Sequence, residues 1–140
     1  MKYPTNILIV EDNPADRKLI EVALGDVLNS VNYRFATDGE TALEYLRNGA
    51  MHRDSELPDF IILDQNMPRM DGFELLHEIR ENERLRDIRI AMFSTSPLPK
   101  WCDPPTPHRA DAYLTKPFDV DDYTRIIRDL CLEWIAVKKL

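Results

Sequence analysis

Glycine is scarce in this chain. Only four occur in 140 residues, Gly25, Gly39, Gly49 and Gly72, and they are scattered. A nucleotide switch that cradles phosphates in a glycine-rich loop is thereby excluded. Cysteine is scarcer still. Cys102 and Cys131 stand alone, with no spacing that suits a metal or a redox pair. Basic charge is in deficit: 18 Lys and Arg face 25 Asp and Glu, for a formal net charge of -7. That balance argues against a nucleic-acid surface, because phosphate binding wants clustered cations. No apolar run approaches the roughly 20 residues that span a bilayer. The opening MKYPTNILIVED has one lysine, a proline and a short apolar run that ends in two acids, which is not a secretory signal. Internal repeats and low-complexity tracts are absent. These absences leave a cytoplasmic protein with free thiols and no membrane span. Its length suits one domain that buries roughly 68–70% of its unfolded surface.

What is present is an alternation. NILIV (Asn6–Val10), NYRFATDG (Asn32–Gly39), DFIILD (Asp59–Asp64), IRIAMF (Ile88–Phe93) and DAYLT (Asp111–Thr115) read as strands. Their near-continuous apolar runs suit strands buried on both faces. Helical patterns lie between them. NPADRKLIEVALGD opens with Asn13 as a cap and Pro14 in the first turn, and Gly25 stops it. Its inward face is Ala15, Leu19, Val22 and Ala23. ETALEYLRNG turns Ala42, Leu43 and Leu46 inward and ends at Gly49. FELLHEIREN does the same with Phe73, Leu76 and Ile79. A closing helix over 119–138 starts at the cap Asp119, with Tyr123, Ile126, Ile127, Leu130 and Trp134 as its buried face. This order predicts a three-layer α/β fold, a parallel sheet covered by helices on both faces. Ligands in such folds bind at the carboxyl ends of the strands.

Those ends carry the chemistry. Glu11 and Asp12 follow the first strand, and Asp64 ends the third. Ser94 follows the fourth, before Thr95 and Ser96. Lys116 and Pro117 follow the fifth. The α/β rule gathers them on one rim. Three carboxylates that close repel one another, and one takes up a proton unless a cation is present. Mg²⁺ prefers oxygen ligands and is typically held by one or two carboxylates plus a phosphate. The acid cluster therefore implies Mg²⁺, and the lysine and hydroxyl imply a phosphoryl group. Lys116 serves as a point charge on its oxygens, and Ser94 donates a hydrogen bond. Asp64 is left as the nucleophile that forms an aspartyl phosphate.

Four blocks, VEDNPADRKLI, ILDQNMPRMDG, MFSTS and AYLTKPF, together resemble the receiver domain of two-component response regulators. They run from Val10 to Phe118 in the family's order. The resemblance implies a flavodoxin-like (βα)₅ fold with strand order 2-1-3-4-5, a single receiver domain over 1–140 with its core at 5–118. It implies Asp64 as the phosphoacceptor, loaded from a phosphohistidine of a sensor histidine kinase. Asp12 is then a Mg²⁺ ligand, Glu11 its acidic neighbour, and Asn66 the residue whose backbone carbonyl meets the metal. Lys116 becomes the phosphate-binding lysine, Ser94 the switch hydroxyl, and Tyr113 the aromatic switch. The Lys116–Pro117 bond is expected to be cis. The protein is then a signalling phosphoacceptor rather than an enzyme. No output domain follows, as in a stand-alone receiver. The loop NGAMHRDSELPD and the long last helix resemble receivers paired with bacterial and cyanobacterial phytochrome kinases.

The departure is SPLPKWCDPPTPHRA (Ser96–Ala110), where the family places a helix between the fourth and fifth strands. Five of the chain's ten prolines fall there, and one inside a helix costs about 3 kcal/mol or more. The helix is expected to be short or replaced by a loop, with Trp101 either covering the gap or facing a partner. In the last helix, Trp134, Ile135, Val137 and Leu140 read either as a packed face or as a dimer contact. Trp134 and Ile135 cannot both face inward on one narrow stripe, which favours a homodimer. His52, His77 and His108 read as surface residues. Two other functions compete. A metal-dependent phosphohydrolase would want an acid where Asn66 stands. A pseudo-receiver, a pure interaction module, would not need the intact acids and lysine.

Overall fold

The computed structural model describes residues 5–25, 27, 31–51, 57–95 and 109–138. The strands are β1 (Thr5–Val10), β2 (Val31–Ala36), β3 (Phe60–Asp64), β4 (Arg89–Ser94) and β5 (Ala112–Thr115). All pair in parallel, as the strand pattern predicts, in the order β2-β1-β3-β4-β5, as the resemblance to receiver domains implies. Four helices stand among the described residues: α1 (Pro14–Gly25), α2 (Gly39–Met51), α3 (Gly72–Glu81) and α4 (Val120–Lys138). The expected irregularity between β4 and β5, with Trp101, Cys102 and His108, lies outside the described residues, as do most of the loop before β3 and His52. No described helix is long and apolar enough to cross a membrane.

Side chains that alternate along each strand divide the core into two layers. Ile7, Ile9, Phe60, Ile62 and Phe93 face α1 and α4, where they meet Ile20, Leu24, Tyr123, Ile127 and Trp134. Leu8, Val10, Ile61, Leu63 and Met92 face α2 and α3, where they meet Leu46, Leu75, Leu76 and Ile79. All five residues of β3 are buried, because it is the middle strand of the sheet and is covered on both faces.

Several local expectations are corrected. In α1 the buried residues are Ile20, Ala23 and Leu24. Ala15 is exposed and Val22 is 54% exposed. The apolar residues from Leu19 to Leu24, interrupted by Glu21, permit more than one stripe, and the sheet selects Ile20-Ala23-Leu24, with Val27 beyond the helix end. Helix α2 continues past Gly49 to Met51, so the small propensity cost of a helical glycine is overridden. Trp134 and Ile135 are both buried, at 5% and 4% exposure, in the chain's own core. Helix α4 packs on the sheet and on α1 together. Its apolar face, Tyr123, Ile127, Leu130, Cys131, Trp134 and Ile135, is the broad stripe of a helix in a layered fold. Trp134 stands edge-on to Phe60, with ring centroids 5.1 Å apart, and the Arg89 guanidinium lies 4.3 Å from its ring centroid. The sequence argument for a homodimer from this pair therefore falls. The Lys116–Pro117 bond is trans, the form an X–Pro bond prefers by about 0.5–1 kcal/mol.

Candidate functional site

Asp64 is the last residue of a strand buried along its whole length, so the strand fixes its backbone while its carboxylate reaches the rim. It is 5% exposed. Its Oδ1 accepts a long hydrogen bond, 3.4 Å, from the Asn66 N–H. Gly72 closes the loop behind it, where the Gly72 N–H donates to the Gln65 carbonyl at 2.9 Å. Asp71 caps α3, accepting from the Glu74 N–H at 2.9 Å.

Glu11 extends the β1–β2 ladder, its N–H donating to the Ala36 carbonyl at 3.0 Å. Its side chain is buried, and Oε2 accepts from the Asn13 N–H at 3.3 Å. Carboxylate oxygens of Glu11, Asp12 and Asp64 lie within 4.8 Å of one another. This is a set of hard oxygen donors, and its chemistry fits a divalent cation such as Mg²⁺.

Lys116 follows β5, and its N–H donates to the Ser94 carbonyl at 2.8 Å. That bond sets the lysine beside the end of β4. Its amine donates to Glu11 Oε1 at 2.8 Å and stands 3.3 Å from Asp64 Oδ1 and 3.4 Å from Asp16 Oδ2. Burial disfavours its charge, but the hydrogen bond and charge of Glu11, with the charges of Asp64 and Asp16, prevail and raise its pKa. Burial pushes the Glu11 carboxyl up to about 8; Lys116 opposes this and Asp64 reinforces it. The cluster holds more negative charge than one lysine balances, so it retains a proton where a cation would replace it.

Ser94 is buried at the end of β4, and its Oγ accepts from the Asn66 amide at 3.4 Å. Tyr113 lies two residues before Thr115, which pairs with Ser94. Its ring is half-buried against the α2–α3 layer, and its hydroxyl accepts from the Ala110 N–H at 3.0 Å. Glu11, Asp12, Asp64, Asn66, Ser94 and Lys116 therefore lie at the carboxyl end of the sheet, whereas Tyr113 stands within β5 with its hydroxyl bonded to Ala110, before that strand begins. Two further residues at the carboxyl end were missed. Asp16, in the first turn of α1, completes the ring of acids around Lys116, and the Tyr123 hydroxyl donates to it at 2.8 Å. The spacing of Asp16 four residues after Asp12 was the available signal; Tyr123 read only as core.

Comparison with known proteins agrees with this fold. The family profile of the response regulator receiver domain matches residues 7–128. The probable methanogenesis regulatory protein FilR2 of Methanothrix harundinacea is 32% identical over 135 residues, which cover 95% of this chain and 85% of that protein. The crystal structure of the phosphorylated cyanobacterial phytochrome response regulator RcpA superposes with a TM-score of 0.86 at 30% identity, covering 96% of each chain. The Mn²⁺-bound form of response regulator Rcp1, a protein known from Synechocystis sp., gives 0.83 at 29% identity, covering 94% of this chain and 95% of that one.

Proposed function

Because the chain belongs to the response regulator receiver domain family of two-component systems, we propose that it takes a phosphoryl group onto Asp64 from the phosphohistidine of a sensor histidine kinase. The observation that carries this reading is the Lys116 amine held 3.3 Å from Asp64 Oδ1 beside a cluster of carboxylates. Glu11, Asp12, Asp64 and the backbone carbonyl of Asn66 would hold Mg²⁺, which when bound supplies positive charge to offset phosphoryl oxygens.

An Asp64 carboxylate oxygen attacks phosphorus in line. The new P–O bond forms as the P–N bond breaks, and the electron pair leaves with the imidazole nitrogen. Lys116 stabilises charge on the phosphoryl oxygens from a fixed position, which costs no reorganisation during the reaction. Ser94 donates to the phosphoryl group once it is present. Tyr113 then moves with Ser94, giving up its bond to the Ala110 N–H, so that a surface near β5 has two states. Water later hydrolyses the acyl phosphate. The protein acts in the cytoplasm as a signalling phosphoacceptor. The likeness to RcpA favours a phytochrome as the partner kinase.

Intact mass after incubation with acetyl phosphate tests this. A gain of one phosphoryl group that needs Mg²⁺ and is absent in Asp64→Asn is expected. No gain under any condition, including with a cognate kinase, overturns it.

A further inference from the structure

Asp16 is bound twice. Its place in α1 is set by the Asn13 cap, whose Oδ1 accepts from the N–H groups of Ala15 at 2.8 Å and Asp16 at 3.1 Å. One carboxylate oxygen then faces the Lys116 amine at 3.4 Å, and the other accepts from the Tyr123 hydroxyl at 2.8 Å. Tyr123 is 3% exposed, and its ring is edge-on to Phe93 at 5.0 Å. Its hydroxyl is therefore aimed by the core, and it is a donor at any ordinary pH, because burial and Asp16 both raise its pKa. An acid in the first turn of a helix is favourable by itself. That effect does not explain why a buried tyrosine of another helix reaches to it.

The Lys116 ammonium has three N–H donors and no acceptor. Three carboxylates surround it: Glu11 at 2.8 Å, Asp64 at 3.3 Å and Asp16 at 3.4 Å. A lysine on a flexible four-carbon stem would settle onto its nearest partner, here Glu11 at 2.8 Å, unless something on another side held it. Asp16 comes from α1 and is fixed from α4, so it is independent of both other acids. We propose that Asp16, fixed by Tyr123, is a positioning residue for Lys116, keeping the amine shared between Glu11 and Asp64 rather than held by Glu11 alone. This rests on the reading of Asp64 as the phosphoacceptor.

The test uses the full chain as wild type, Tyr123→Phe, Asp16→Asn and both together, each verified as folded at the assay temperature. Tyr123→Phe removes one hydroxyl and changes no charge. Loading by acetyl phosphate with Mg²⁺ is followed by intact mass over a range of donor concentrations. The maximal rate of Tyr123→Phe is expected to fall about threefold to tenfold, with the half-saturating donor concentration unchanged. The double variant is expected to be no slower than the slower single one, since both act through one chain of contacts. The two ε-protons of Lys116 are expected to be inequivalent by NMR in the wild type and to merge in Tyr123→Phe. If the wild type loads and Tyr123→Phe loads as fast, the positioning role is overturned and the proposed function stands. If the wild type does not load, the proposed function fails. The ε-proton signals then decide alone: merging supports the positioning role and unchanged inequivalence overturns it.

Discussion

Gly72 sits against the end of β3 so closely that a Cβ there would stand 2.5 Å from the Asp64 carbonyl oxygen and 2.9 Å from the Gln65 Cα. Both atoms are backbone, so neither can swing aside. The absence of a side chain is what lets the first turn of α3 close over the residue that carries the carboxylate. Gly72→Ala is expected to destabilise the fold by about 1–3 kcal/mol, the range for overpacking a core. It should also slow loading of Asp64, because the backbone that must yield is that of the phosphoacceptor. Urea denaturation beside intact-mass loading checks both; wild-type stability would show that the α3 turn accommodates a methyl group.

The pH dependence follows from Glu11. Its carboxyl is raised from 4.5 to about 8 in the fold, first by burial. The folded protein therefore holds a proton that the unfolded chain has released, over the window from about pH 4.5 to about 8. Stability should be fully present below this window and fall as pH rises through it. Lys116 does not disturb that slope, because its raised pKa starts from 10.5. In Mg²⁺-free buffer the denaturation midpoint should drop between pH 5 and pH 8, and Glu11→Gln should flatten the drop. Added Mg²⁺ should bind more tightly at the upper end of the window and restore stability there. A flat profile for the wild type would mean that Glu11 ionises without cost.

Trp134 is a core residue. Its edge-on contact with Phe60 and the cover from Arg89 predict that Trp134→Ala costs about 3–5 kcal/mol. Light scattering should give the same mass for the variant as for the wild type at a concentration where both are folded. A change in mass with little loss of stability would return Trp134 to an interface.

The parallel strands and their polar ends were legible because a buried parallel strand leaves a plain mark, whereas the sheet order came only with the resemblance to receiver domains. FIIL running into Asp64 shows both the strand and the point where its polar end emerges. Helix rotation was less legible. Leu19, Ile20, Val22, Ala23 and Leu24 offer overlapping stripes, and only packing decides that Val22 faces water. The Trp134–Ile135 pair misled because a stripe two residues wide looks excessive on an isolated helix, yet α4 touches the sheet and α1 at once. Asp16 and Tyr123 are 107 residues apart, and no local pattern joins an acid in one helix to a hydroxyl in another.

Arg69 lies in the loop after Asp64 with φ 67°, the left-handed region that glycine adopts most readily. Its guanidinium meets the Asp38 carboxylate at 3.3 Å from an exposed position. Asp38 is held ionised mainly by the backbone N–H of Thr41, with Arg69 a lesser contributor. An exposed ion pair contributes about 0.2–1 kcal/mol, whereas a left-handed conformation costs an L-residue about 1–2 kcal/mol. The backbone should therefore outweigh the ion pair. Arg69→Gly is expected to leave stability unchanged or raised by up to about 1 kcal/mol. Arg69→Val, which loses the ion pair and adds a β-branched side chain, should lower it by about 1–2 kcal/mol. Urea denaturation of the two variants separates the effects: equal losses would mean that the Asp38 contact, not the backbone, governs this loop.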